Sequence, residues 1–508
     1  MLDNRDKNIG TVVTVPEPPT QSKFYFVADP EWGQHVIKVG LYVIIEDENH
    51  TIMATIETVQ KSNRYFSNAE SVFNYEKTGM GINSLFPIDQ WEFLICECNV
   101  LGSLDREGLH RASRPISPGA KVKMAPNYLL SAFLGLNQKT GLYLGDIPHH
   151  GLEAKFDISR LLQKHLAILS ISGGGKSYTT KVLIEELLRR SPQQGRPAVV
   201  IFDVHGEYTE LKLLKQHPKF KKTEIIVYKA DKIGLHTPEI SAADFADYVP
   251  DMSGPQIREL SKIIHRRKNR PKRTEYDLSI LINEIEYDED MNSYVREALI
   301  GWLLQLHRTG LFGVEERPNI KNILKPGVAI IFDLSPILSL KTKQIIVSYF
   351  LKKIFRLRRE NKIPPTVLIL EEAHQFCPEG TGIRSPAKNI IETISREGRK
   401  FMTSLVLVSQ RPVNLSTTAL SQCNTQLILR ILNPYDLDYV GRTSEGITRS
   451  TLSQITSLGV GECLVAGSAI NYPTFIKIRT RLVKDKLDEL TFEAIMREYD
   501  KKNLVNTK

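Results

Sequence analysis

The sequence predicts a two-part chain, a mostly-β N-terminal segment followed by an α/β domain built on a parallel sheet. Three observations predict it. Before residue 125 the apolar runs are short, β-branched and aromatic, and turn residues separate them. After residue 166, continuous apolar runs alternate with helical patterns, as in strands buried on both faces. At the junction of the first such strand and helix lies a glycine-rich turn, Ser170-Ile171-Ser172-Gly173-Gly174-Gly175-Lys176-Ser177.

In chain order, Lys23–Val27, Gly40–Glu46, Met53–Val59 and Trp91–Val100 read as strands of a barrel or sandwich over residues 1–125. Pro115-Ile116-Ser117-Pro118-Gly119 punctuates the end of that segment, and 126–165 connects it to the α/β domain. Strands are expected at 166–170, 198–203, 328–334, 366–371, 403–409, 425–430 and 462–466, within a core spanning 166–480. Tyr178 to Leu188 reads as an amphipathic helix. Residues 239–316 break the strand–helix rhythm and read as a helical insertion. Within it, Lys262 to Arg273 carries seven Lys/Arg in twelve residues, either a solvated charged face or a phosphate-contacting patch. Residues 481–508 read as a C-terminal helix and a frayed tail.

Composition narrows the class. With 508 residues, 41% hydrophobic and 25% charged, the chain is long enough for several domains, each with its own core. The N-terminus has no apolar signal core, and no stretch is long and apolar enough to span a bilayer, so no membrane partner is expected. Five cysteines argue for a reducing compartment without a disulfide framework, and Cys96 and Cys98, on one face of a strand, read as packing. A net charge of +9 suits a polyanion partner without specifying one.

The glycine-rich turn is a phosphate-binding loop by its order of elements, buried strand, glycine turn, helix. Glycines let backbone N–H groups turn toward phosphates, and the helix N-terminus adds positive potential. Lys176 would reach the β/γ-phosphates and Ser177 would bind Mg²⁺. One residue departs from the usual pattern, which opens on glycine where this chain has Ser170. The second chemical feature is Leu370-Glu371-Glu372-Ala373-His374, where a buried strand ends in two adjacent carboxylates. Glu371 is assigned to the metal's water shell and Glu372 to the base that polarises the attacking water. A third strand-end acid, Asp203, opens Asp203-Val204-His205-Gly206-Glu207-Tyr208; Asp203 and Glu207 are either metal-side groups or parts of a structural turn. Gln410, after another strand, could sense the γ-phosphate. His205 and His374 read as polar packing. Arg396 and Arg399 either end a helix favourably or act on a neighbouring subunit's phosphates as arginine fingers.

With these residues in place, the chain resembles the HerA family of archaeal hexameric DNA translocases/helicases, in the HerA–FtsK ATPase group. The resemblance rests on Gly-Gly-Gly-Lys-Ser at 173–177, Asp-Val-His-Gly-Glu-Tyr at 203–208 and Leu-Glu-Glu-Ala-His at 370–374. It extends to Ser-Arg-Glu-Gly-Arg-Lys at 395–400, Val-Ser-Gln-Arg-Pro at 408–412, Leu-Ser-Gln-Cys-Asn-Thr-Gln at 420–426 and Gly-Glu-Cys-Leu-Val-Ala-Gly at 461–467. It implies a RecA-like P-loop ATPase core with a helical insertion, preceded by an N-terminal β-barrel. It implies a homohexameric ring that threads double-stranded DNA, in the cytoplasm and associated with the nucleoid. Its partners would be the nuclease NurA and the Mre11–Rad50 machinery, in DNA end resection for homologous recombination. ATP and Mg²⁺ are the implied cofactors. Carried over residue by residue, Ser172, Gly173, Gly174, Gly175, Lys176, Ser177 and Tyr178 would surround the nucleotide. Ser177, Glu371 and Asp203 would face the metal, Glu372 would be the base and Gln410 the sensor. Arg396, Arg399 and Arg430 become fingers or sensors, and Gly459 and Val460 flank the base. Arg384 and Lys388 are pore-loop candidates.

Two other classes share part of this signature. A small-molecule kinase has the phosphate loop but would transfer phosphate to a metabolite. A non-translocating assembly or tethering P-loop ATPase would bind nucleotide and DNA without displacing anything from the duplex.

Overall fold

The computed structural model describes residues 8–31, 33–47, 50–63, 66, 68–77, 91–221, 223–269, 275–380, 384–444, 446–483, 493, 494, 496, 497 and 499. Most of the C-terminal helix and tail expected over 481–508, and Arg270, Lys272 and Arg273 of the basic run, lie outside them. The chain divides into two compact units. One holds residues 1–141, 145–156 and 470–477, and the other holds 142–144, 157–469 and 478–508.

In the first unit, strands pair in the order Lys23–Ala28, Asn8–Val13, Lys121–Met124, Tyr42–Asp47, His50–Asn63, Glu92–Asp105 and Gly108–His110. Lys23–Ala28 also pairs with Glu92–Asp105, which closes six of them into a barrel. Closure removes the sheet edges that short antiparallel strands would otherwise expose. The two long strands, His50–Asn63 and Glu92–Asp105, shift register at Met53/Ala54 and Ile56/Thr58, and such bulges supply the bend a closed sheet needs. Alternate residues point inward, so Phe24, Phe26, Val43, Ile45, Ala54, Ile56, Cys96 and Cys98 meet in one apolar core.

The second unit is the α/β core. Its strands run in the order Glu224–Lys229, Val328–Asp333, Ala198–Asp203, Thr366–Leu370, Thr403–Ser409, Leu166–Leu169, Thr425–Ile428 and Glu462–Gly467. All are parallel except the last, which pairs antiparallel with Thr425–Ile428. Val-Val-Ile-Phe and Ala-Ile-Ile-Phe are buried along their whole length, the mark of strands covered on both faces. Residues 239–316 contribute helices Ala242–Tyr248, Gly254–Lys268, Leu278–Glu286 and Ser293–His307, and Ser241 and Ser253 start the first two with capping boxes.

The helix after the glycine turn, Lys176–Leu188, is not amphipathic as its sequence suggests. Every residue from Thr179 to Leu188 is buried. Its polar positions, which read as a solvated stripe, are instead Glu185 and Glu186 held by Arg479. Arg479 Nη1 lies 3.0 Å from Glu185 Oε2, and Nη2 lies 2.9 Å from Glu186 Oε1. Arg481 Nε adds a 3.3 Å contact to Glu185.

Candidate nucleotide site at the carboxyl ends of the strands

Ligands of open parallel sheets bind beyond the carboxyl ends of the strands. Four acidic side chains stand there: Asp203, Asp333, Glu371 and Glu372. The phosphate loop leaves the Leu166–Leu169 strand, which lies between Thr403–Ser409 and Thr425–Ile428. Its start is tied to both neighbours: Ser170 N–H donates to Ser409 O at 3.3 Å and Ile171 N–H to Arg430 O at 3.0 Å.

Gly173 and Gly175 have φ of 73° and 96°, a region in which a side chain strains the backbone, so glycine is required at both. No side chain caps the Lys176–Leu188 helix, so its first N–H groups remain for a ligand. A Cβ on Gly173 would meet nothing within 4 Å, so the turn borders open space on that side. An uncapped helix start, glycine-only dihedrals and Lys176 together fit a polyphosphate. Ser177, at the helix start, is the residue of the loop whose hydroxyl would hold Mg²⁺.

Lys176 Nζ lies 3.8 Å from Glu372 Oε1, which brings the two strongest motifs of the sequence into one site. Glu372 sits at φ 48°, ψ 48°, a left-handed conformation costing a non-glycine residue on the order of 1–3 kcal/mol. Its Oε2 is buried without a hydrogen-bond partner among the described residues. Burial raises its carboxyl pKa, against the opposing pull of Lys176. A strained carboxylate with one unpaired oxygen beside the phosphate loop is suited to accept a proton from an attacking water.

His374 Nδ1 is 3.3 Å from Glu372 Oε2 and 3.1 Å from Ser409 Oγ. Burial, then the cations Arg411 and Lys176, depress His374 to about 4, so it stays neutral and gives Glu372 no counter-charge. Gln410 follows Ser409, and its backbone N–H faces Glu372.

Glu371 and Asp203 are bound into one turn. Glu371 Oε2 accepts from the N–H of Val204 at 2.7 Å and of His205 at 3.2 Å. Asp203 Oδ1 accepts from the N–H of Gly206 at 2.7 Å and Glu207 at 3.1 Å, while Oδ2 accepts from Tyr208 N–H at 2.9 Å. Burial raises both carboxyls, and their proximity raises Glu371 further. Of the alternatives for Asp203, the geometry displays the structural turn directly, with Asp203 as its hub.

Two members of this cluster carried no assignment in the sequence. Asp333 ends a strand paired in register with Asp203, and accepts from Ser335 N–H at 3.1 Å and Ser335 Oγ–H at 2.6 Å. The repeated Ile-Phe-Asp ending at 201–203 and 331–333 was the available signal. Lys343, on the helix Leu340–Arg359, donates to Val204 O at 3.2 Å and feels Glu371, Asp203 and Asp333. No local pattern distinguishes it from the other lysines of that helix.

The remaining candidates sort by position. Val460 is 82% exposed, and a Cβ on Gly175 would lie 3.9 Å from Gly461 N, so the 459–461 turn flanks the phosphate loop. Arg430 is exposed at the loop's other border, with Nε donating to Thr456 O at 3.3 Å. Tyr178 spends its hydroxyl on Arg481 N–H at 2.8 Å, a structural use. Arg396 and Arg399 are exposed and make no ion pair among the described residues. In the basic run, Lys262 pairs with Glu259 at 2.8 Å, Arg266 with Asp288 at 3.1 Å and Arg267 with Glu284. Each of those three has a carboxylate partner within the fold, though Lys262 and Arg266 remain exposed. Arg384 donates to Pro250 O at 3.0 Å and Lys388 to Gly380 O at 3.1 Å, both just after 381–383, which lie outside the described residues. Among the described residues no cluster of His, Cys, Asp and Glu forms a ready metal cage.

A glycine turn on a central parallel strand, a lysine at the helix start and a strand-end glutamate within reach define a P-loop ATPase. VirB4 of Thermoanaerobacter pseudethanolicus shares the fold, with TM-score 0.54, 15% identity and coverage of 68% of this chain and 98% of that one. Residues 142–354 match the family model described as "DUF87: Helicase HerA, central domain". The DNA double-strand break repair helicase HerA of Pyrococcus furiosus is 27% identical over 505 residues, covering 87% of this chain and 88% of the relative. A probable helicase of Methanocaldococcus jannaschii, MJ1565, is 28% identical over 471 residues, covering 87% and 86%. The chain is thus similar to proteins named as HerA helicases over most of its length.

Proposed function

We propose that the protein is an ATP-driven helicase/translocase that moves along double-stranded DNA without reading its sequence, as a homohexameric ring. The observation that carries this reading is the 3.8 Å approach of Lys176 to Glu372, with Glu372 strained and unsatisfied, in a chain related to proteins named as HerA helicases. Lys176 and the loop N–H groups hold the triphosphate of ATP, Ser177 supplies the Mg²⁺ contact, and Glu372 takes the proton of the attacking water. Mg²⁺ supplies charge neutralisation at the phosphates. Glu371 and Asp203 keep the 203–208 turn in register beneath the metal side of the site.

Exposed Arg396 and Arg399, without internal partners among the described residues, suit a finger offered to a neighbouring subunit. The +9 charge suits phosphate contacts that ignore sequence. The barrel is the docking surface for a NurA-type nuclease, which places the protein in end resection for recombination beside Mre11–Rad50, in the nucleoid. No described helix is long and apolar enough to cross a membrane.

The test is ATPase rate with and without duplex DNA. Duplex of any sequence should stimulate the wild type. Lys176→Ala should lose nucleotide binding. Glu372→Gln should keep binding and lose about 10²–10⁴-fold in kcat, the range of a general base. Hydrolysis indifferent to DNA, or full activity in Glu372→Gln, contradicts the reading.

A further inference from the structure

Ser170 is the one residue that breaks the phosphate-loop pattern, and the structure shows what stands in for the missing glycine. Ser170 is completely buried. Its Oγ has no hydrogen-bond partner among the described residues. Gly174, across the loop, donates its N–H to Ile171 O at 3.2 Å. Unlike Gly173 and Gly175, Gly174 does not have a positive φ, so its backbone alone would accept a side chain. Space is lacking for one while the Ser170 hydroxyl keeps its rotamer: a Cβ at 174 would lie 2.1 Å from Ser170 Oγ. The obstruction belongs to that single atom, since the next neighbours, Ile171 O and Ile171 Cγ1, would be at 3.3 and 3.5 Å.

The usual pattern places glycine at the first position and leaves the position before the last glycine free. This chain has the reverse, a side chain at 170 and glycine at 174. We propose that Ser170 is a positioning residue of the phosphate loop, its hydroxyl filling the volume beneath residue 174, so that Ser170 and Gly174 form one interlocked pair. The hydroxymethyl group supports the turn from the strand end, and Gly174 is required because that group is there. This inference rests on the nucleotide-binding reading of the loop.

The interlock predicts non-additivity. Gly174→Ala should push the turn outward, displacing N–H groups that serve ground and transition states alike, so KM for ATP should rise while kcat holds. In the Ser170 background the expected rise is about tenfold, the scale of overpacking a close contact. In the Ser170→Ala background, which keeps Cβ and removes only Oγ, the same substitution should cost less than about threefold in KM. Melting temperature should follow: lowered in Gly174→Ala and restored in the double variant. Ser170→Ala alone should not lower it, because the desolvation cost of the unpaired buried hydroxyl offsets the packing it supplies. The measurements are KM and kcat for ATP, binding of a fluorescent ATP analogue and thermal unfolding of the full chain and these three variants. An equal cost of Gly174→Ala in both backgrounds overturns the interlock. Absence of analogue binding to the wild type would instead overturn the nucleotide reading. The melting temperatures would still decide the interlock, which then fails if the double variant melts no higher than Gly174→Ala.

Discussion

At the scale of single residues, the site depends on side chains held in states that water would not allow. Glu372 was legible as a second strand-end carboxylate, because adjacency to Glu371 and the phosphate loop restricts what it can do. Its left-handed backbone and unsatisfied oxygen were not, since both depend on neighbours distant in sequence. Nor did the sequence disclose that Asp203 serves as the hub of its own turn, because a strand-end acid reads alike whether a metal or three N–H groups take its oxygens. His165 is the clearest case of an enforced charge state. Its Nδ1 accepts from Leu405 N–H at 2.9 Å, and Nε2 donates to Ser395 O at 2.9 Å, which leaves no site for a second proton. Burial depresses it from 6.5 to about 4. Between those values the unfolded chain holds a proton that the folded chain lacks, so this contribution is complete above pH 6.5 and is lost as pH falls toward 4. The expected loss is on the order of 3 kcal/mol. Denaturant unfolding at pH 7 and pH 4.5 should show a shallower pH slope in His165→Gln than in the wild type, and parallel slopes would refute the assignment.

At the scale of elements, strand existence and order of type were legible because runs such as Val199-Val200-Ile201-Phe202 are apolar on both faces. The misread element was the Lys176–Leu188 helix. Its glutamates imitate a solvated stripe, and their partner, Arg479, lies nearly the whole core away in sequence, beyond the reach of any periodicity. A buried cation shared by two glutamates is costly to break, because removing it leaves Glu185 only Arg481 and Glu186 only Arg189 as counter-charges. Arg479→Met should therefore destabilise the core by about 3–5 kcal/mol. Adding Glu185→Met, Glu186→Leu and Arg481→Met should recover much of that loss, since apolar replacement of the buried ionic cluster, its second cation included, is tolerated. Thermal unfolding checks both. An unchanged melting temperature in Arg479→Met would show that the network does not hold the phosphate-loop helix in place.

At the scale of the whole molecule, two chemical motifs pointed to nucleotide-driven work, and a basic balance suited a polyanion partner without specifying one. The basic run at 262–273 shows how charge counting overreaches. Lys262, Arg266 and Arg267 each face a carboxylate of their own fold, so the count of seven overstates the free charge of the run. A ring working on phosphates without reading bases should bind duplexes of unrelated sequence equally and release them steeply as salt rises. In the proposed cycle, hydrolysis at Glu372 moves the protein along the duplex. Displacement of a triplex-forming third strand from duplex DNA measures that movement directly. Displacement should require ATP, be indifferent to duplex sequence and disappear in Glu372→Gln. Robust ATP hydrolysis and DNA binding with no displacement would contradict that cycle and leave a tethering ATPase in its place.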